Sequence, residues 1–288
     1  MAGLGRISRQ PIGMIDSGMG GLSVLADLVT SCQEEEYIYY ADSRYAPYGE
    51  KDRETVRHRV TEIATFLMHF NTRLLVLACN TATSAAVDEL RQYLPIPVIG
   101  MEPALKPALA HGNIQRVVVA ATPLTLKERK FEELFQKTRG NHEIIPLPCP
   151  GLVEIIEEEG PESAAVGHKL TELLAPLKNR RIDRLVLGCT HYVLIRSRWQ
   201  QAAGPETQLV DGNEGTVRQI LRVLPDVSAM TSAETIEKKT HIRLISSSHN
   251  THTCMRMKGI LLEQLRLRGL AQDVLERYFQ ITTEEECL

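Results

Sequence analysis

The chain has 288 residues, 43% of them hydrophobic, and a formal net charge of −3. That is enough to bury one large or two medium cores, and too little charge bias to argue for nucleic acid or an anionic membrane as a partner. No apolar run approaches bilayer length, the first ten residues lack the apolar stretch of a secretory signal, and the six cysteines form no CxxC pair, so free thiols in a reducing cytoplasm are expected.

Pro11–Asp16 reads as a short strand, Ser17-Gly18-Met19-Gly20-Gly21 as a glycine-rich turn and Leu22–Cys32 as a helix. A strand over Tyr37–Ala41, a polar loop, a helix over Asp52–Asn71 and a strand over Leu74–Ala78 follow. A polar turn after Cys79 leads to a helix over Ala85–Leu94, a strand at Val98–Gly100 and a short helix over Met101–Ala110. The pattern then restarts, with a strand at Val117–Ala121, a turn from Thr122 and a helix over Lys127–Thr138. Ile144–Leu147 is extended until Pro148 breaks it, and helices are expected over Leu152–Glu159 and Ser163–Leu177. Strands at Leu185–Leu187 and Gln208–Val210 precede a helix over Glu214–Leu224. Pro225–Lys239 reads as a linker, Thr240–Ile245 as a strand, Ser246–Thr253 as a loop, Met255–Arg268 as a closing helix and Glu284–Leu288 as a frayed tail. Alternating strands and helices imply parallel sheets with right-handed crossovers, an α/β fold.

Two stretches echo each other: Leu74–Thr83 and Arg184–Tyr192. In each, an apolar run of strand length ends in a small residue, a cysteine and hydrogen-bonding residues. Open α/β sheets bind ligands at the carboxyl ends of their strands, so Cys79 and Cys189 are expected to face one site built from two related halves. A lone buried cysteine is most often only a small hydrophobe; the matched positions favour a functional pair, and a helix start beyond each thiol favours thiolate. Asp16 either caps the next helix or assists Cys79, as His191 would assist Cys189. The glycine turn leaves amides free for a small anion but matches no nucleotide-binding loop. Pro47-Tyr48-Gly49 is either an ordinary turn or a wall of the site. Glu154 sits on a helix crowded with acids, where a solvated face is the simpler reading. His249–Cys254 lacks a second ligand cluster, and no metal is expected.

Together these residues resemble the glutamate racemase family of the aspartate/glutamate racemase superfamily. The similar segments are Ile15–Val24, Ala46–Lys51, Ala78–Thr83, Pro97–Ala104 and Leu187–Tyr192. Gly212-Asn213-Glu214, in place of a small-residue turn, and Val193, where proline is common, depart from the pattern without touching the matching catalytic groups. The resemblance implies two pseudo-twofold-related lobes, each a mostly parallel sheet flanked by helices, with the active site in the cleft between them. The first lobe would take 1–101 and 212–288, the second 102–211.

It further implies cofactor-independent racemisation of glutamate, with Cys79 and Cys189 as alternating base and acid on opposite faces of Cα, assisted by Asp16 and His191. Ser17, Pro47, Tyr48, Gly49, Asn80, Thr81, Thr122, Glu154 and Thr190, together with Asp16 and His191, would contact the substrate. The product would be D-glutamate for peptidoglycan. A homodimer and activation by a cell-wall precursor are the corresponding expectations about partners. Three other readings are an aspartate racemase or related decarboxylase, a non-catalytic amino-acid binder and a thiol redox protein. His191 weighs against the first, since aspartate-specific relatives typically carry an acid there.

Overall fold

The structure is a computed structural model that describes residues 10–33, 35–110, 115–138, 140–228, 239–248 and 250–285. Residues 1–9, positions 229–238 of the expected linker, His249, and the end of the tail with Cys287 lie outside the described residues.

The first half runs β1 (Ile12–Asp16), α1 (Leu22–Ser31), β2 (Glu36–Ala41), α2 (Arg53–Met68), β3 (Leu74–Leu77), α3 (Asn80–Tyr93), β4 (Val98–Gly100) and α4 (Leu105–Ala108). The middle runs β5 (Arg116–Ala121), α5 (Pro123–Lys127), α6 (Arg129–Thr138), β6 (Glu143–Pro148), α7 (Leu152–Glu159), α8 (Ala164–Leu174), β7 (Arg184–Leu187), α9 (Thr190–Leu194), α10 (Arg196–Ala203) and β8 (Gln208–Asp211). The chain closes with α11 (Asn213–Ser228), β9 (Thr240–Ser246), α12 (Thr251–Leu267), α13 (Gln272–Tyr278) and β10 (Phe279–Glu285).

Two parallel sheets result, in the orders β10-β9-β2-β1-β3-β4 and β6-β5-β7-β8. The inner order repeats: β2-β1-β3-β4 corresponds to β6-β5-β7-β8. The hydrogen bonds repeat too. The Ala78 amide donates to the Ile15 carbonyl at 2.9 Å, and the Gly188 amide to the Ala120 carbonyl at 2.7 Å. Both sheets are covered on both faces, which is why their strands read as nearly continuous apolar runs. Along β3, Leu74 and Val76 enter one core while Leu75, Leu77 and then Cys79 enter the other. Along β7, Leu185, Leu187 and Cys189 share a core and Val186 faces the opposite one.

In each sheet the chain leaves the first central strand toward one edge and the second toward the other. Adjacent helices therefore diverge beyond the carboxyl ends of β1 and β3, and again beyond β5 and β7, leaving a crevice at each switch point. The residues that follow these four strands are Ser17, Ala78–Cys79, Thr122 and Gly188–Cys189, with Asp16 closing β1.

The expected elements recur with local differences. α3 begins at Asn80, directly after Cys79, because the thiol supplies its cap; the polar residues expected to form a turn are its first turn. The helix expected over Lys127–Thr138 is two, since Thr122 caps α5 with Pro123 in its first turn. β6 runs through Pro146 to Pro148, which an edge strand tolerates. α12 starts at Thr251 under an Asn250 cap, α11 continues through Pro225, and the tail begins inside β10. α9 is the helix start expected beyond Cys189, whereas α10, α13 and β10 had no counterpart in the reading of the sequence.

Candidate active site

Cys79 sits between β3 and α3. Its sulfur accepts the Ala82 amide at 3.4 Å and lies 3.9 Å from Ser17 Oγ. Burial, then the nearby Asp16 charge, push this thiol up to about 12, against the pull of the Ala82 amide. Asp16 is fully buried; it accepts the Gly18 amide at 3.1 Å and the Thr190 hydroxyl at 3.2 Å. Burial raises its carboxyl, with His191 pulling the other way.

Cys189 sits between β7 and α9, its sulfur 3.9 Å from His191 Nδ1. The far ring nitrogen, Nε2, is 2.5 Å from Glu157 Oε1 on α7, and the same oxygen accepts the Met19 amide at 2.7 Å. Glu157 thus joins the histidine of one lobe to the glycine turn of the other. The turn must be glycine there: a Cβ on Gly20 would lie 2.5 Å from His191 Nδ1 and 2.6 Å from its amide nitrogen.

A ring of hydroxyls also bridges the lobes. Thr81, Thr122 and Thr125 lie 2.9 to 3.1 Å from one another. Beside it, a Cβ on Gly49 would meet Thr122 at 2.5 Å. The Tyr48 hydroxyl is turned to Asp42, which Arg59 grips with two nitrogens at 3.0 Å, and Tyr48 is buried in the same core as Cys79. Asn80 Oδ1 is buried with no hydrogen-bond partner. Leaving a carbonyl so costs about 1–3 kcal/mol, and a donor on a bound molecule would relieve it.

The structure therefore gathers Asp16, Ser17, Cys79, Thr190, His191 and Cys189 directly, and Thr81 with Thr122 through the hydroxyl ring. Pro47 and Glu154 instead line a cavity of about 220 Å³ at the mouth, with Glu157, Glu158 and Arg256. Burial, with the Glu50 and Glu158 charges, raises the Glu154 carboxyl. Reading the sequence missed Glu157, Thr125 and the Asp42–Arg59 pair. Four acids crowd α7, and their spacing alone does not say which one faces the cleft.

The profile of the Asp/Glu/Hydantoin racemase family matches residues 12–220. The glutamate racemase of Clostridium perfringens is 45% identical over 221 residues, covering 76% of this chain and 85% of the relative. The chain belongs to the glutamate racemase family. Among solved structures, glutamate racemase RacE1 of Bacillus anthracis superposes with a TM-score of 0.78 at 26% identity, covering 97% of both chains. The Escherichia coli glutamate racemase, solved with L-glutamate and the activator UDP-MurNAc-ala, gives 0.76 at 28% identity, covering 97% of this chain and 99% of that one. As expected of this family, the fold is two α/β lobes, and the protein is an isomerase.

Among the described residues no three His, Cys, Asp or Glu side chains gather as a metal cluster, and no helix is long and apolar enough to cross a membrane.

The racemase's dyad sets a pH dependence. Burial opposes the charge on His191, but the Cys189 sulfur and the Glu157 carboxylate outweigh it and hold the imidazole well above 6.5. A base raised in the fold stabilises fully below its unfolded value, and that contribution is lost as pH rises through the folded value. The melting temperature is expected to fall as pH rises above about 6.5, the ordinary value of an imidazole. Glu157→Gln should flatten the fall. Parallel slopes for the two proteins in a thermal melt series would rule the dyad out as its source.

Proposed function

We propose that the chain interconverts L- and D-glutamate without a cofactor, Cys79 and Cys189 working opposite faces of Cα, in the cytoplasm, and supplying D-glutamate for peptidoglycan. The supporting observation is the matched pair of thiols at corresponding strand ends of two facing sheets. A racemase must take a proton from one face and return one to the other, and one base does not reach both. In each direction one sulfur removes the Cα proton as thiolate while the other donates as thiol, so the two exchange states with every turnover.

Their surroundings differ in a way that suits this. Burial favours the thiol form of Cys79, with Asp16 beside it as the assisting carboxyl. Cys189 faces an imidazole whose charged form the sulfur and Glu157 favour, and which Glu157 orients. The carbanion needs its carboxylate held by donors in a dry site. Ser17, Thr81, Thr122, Thr190 and the amides of the glycine turn are the donors at hand, and the buried, unpartnered Asn80 Oδ1 would accept from the ammonium. The Tyr48 ring and Gly49 close the wall, with Pro47 and Glu154 at the entrance.

Substrate and activator follow the relatives: glutamate, and by analogy with the Escherichia coli protein a cell-wall precursor. Lobes of 1–101 with 212–288, and of 102–211, assembled as homodimers, complete the reading. Purified protein, with no cofactor added, should erase the circular dichroism of either glutamate enantiomer and wash solvent deuterium into Cα. Racemisation of aspartate alone would refute the substrate, and the absence of wash-in would leave a binding protein.

A further inference from the structure

Glu157 holds the second half of the site together, and something must hold Glu157. It lies in the last turn of α7, where backbone carbonyls have no partner within the helix. Its carbonyl accepts Arg256 Nη1 at 2.6 Å. Arg256 belongs to α12, which packs against α1 and β9 around the first sheet. The contact therefore crosses between the lobes, and a cation at a helix C-terminus also suits the helix dipole. α12 lies beyond the residues that the family profile matches.

Arg256 also lines the mouth cavity and a second groove of about 690 Å³ beside it, along with Glu158 in both. It is the only lysine or arginine among the described residues lining either space. The guanidinium thus marks the partition between the groove and the mouth, and its bond across that partition ends on the main chain of Glu157.

We propose that Arg256 is a positioning residue for the Cys189 half of the reaction. By fixing the main chain of Glu157 from the opposite lobe, it sets the carboxylate that orients His191 against the sulfur. The proposal rests on the two-thiol reading above. It makes Arg256 act on one thiol and leave the other alone, a distinction kinetics can read.

The enantiomers of glutamate have equal free energies, so kcat/KM must be the same in both directions for any variant. A weakened Cys189 raises only the barrier at that sulfur. When Cys189 cleaves the Cα–H bond, cleavage becomes more limiting and the primary isotope effect grows. When Cys79 cleaves it, reprotonation by Cys189 becomes limiting and the isotope effect shrinks.

The test compares Arg256→Met and Arg256→Lys with wild type, using protiated and 2-deuterated L- and D-glutamate. Arg256→Met should lower kcat/KM about tenfold, a loss of the size that a small misplacement of a reacting group produces. Its isotope effects should move in opposite senses for the two enantiomers. Arg256→Lys keeps one cationic donor for the single carbonyl and should return to within about threefold of wild type. Isotope effects that move together, or a loss that lysine does not rescue, would mean general loosening and overturn the proposal. An active wild type matched by Arg256→Met overturns the positioning role alone, whereas an inert wild type overturns the racemase reading and this proposal with it.

Discussion

Cys79→Ala and Cys189→Ala are each expected to cut the interconversion of glutamate enantiomers by at least about a thousandfold, within the range ascribed to a positioned acid or base. The two thiols do not substitute for one another, because each is fixed to its own sheet and faces the cleft from its own side. Each single variant should nevertheless keep half of the chemistry. The remaining thiolate removes a proton from one face and, after exchanging with solvent, returns deuterium to that same face. In heavy water each variant should therefore lose the Cα proton signal of one enantiomer while its circular dichroism stays flat, and the two variants should act on opposite enantiomers. Either variant racemising at a rate near wild type would end the two-thiol mechanism.

The second large effect needs no change to a reacting group. Gly20→Ala places a methyl 2.5 Å from Thr190 Oγ1 and 2.6 Å from the His191 amide nitrogen. A side chain swings away from such a clash, but a backbone amide at the start of α9 does not. The strain falls between the lobes and not inside either, so the variant should fold and remain slightly open. Racemisation should drop about a hundredfold or more, the scale set by misplacing reacting groups by an ångström, while the melting temperature changes little. Gly259→Ala on α12, where an added Cβ meets nothing within 4 Å, is the control. It should retain activity and gain about 0.4–1 kcal/mol of stability. A fully active Gly20→Ala protein would show that the turn need not approach α9 this closely.

Much of the site could be read in the sequence because strand ends announce themselves. Leu74–Leu77 and Leu185–Leu187 are apolar runs that stop at a small residue, and that abrupt stop placed both cysteines at the cleft. The Gly18–Gly21 turn was legible as a turn because clustered glycines punctuate a chain, but its close approach to α9 was not. Glu157 was not legible. Its role depends on which side of α7 faces the glycine turn, and that is set by how two lobes meet. Arg59 was hidden likewise: an arginine on an amphipathic helix looks solvated until Asp42 is found buried beneath it. At the C-terminus, Phe279–Glu285 alternates half-buried and exposed residues at a sheet edge, a pattern too weak to separate from a loose tail. The start of α3 was misjudged because a cysteine seldom caps a helix.

The packing of Gly212 against the Glu102 carbonyl, where an added Cβ would come within 2.9 Å, brings together the two points at which the chain enters and leaves the second sheet. That sheet is complete once Asp211 has been synthesised, since all its strands lie between Arg116 and Asp211. The first sheet must wait: β2 pairs along its length with β9, Tyr37 beside Ile242, and β10 adds beyond it. On the ribosome the later-made half can therefore close around its own core while the earlier-made half still shows an open strand edge at β2. That edge, with three tyrosines, is the surface most exposed to wrong partners until the final fifty or so residues emerge.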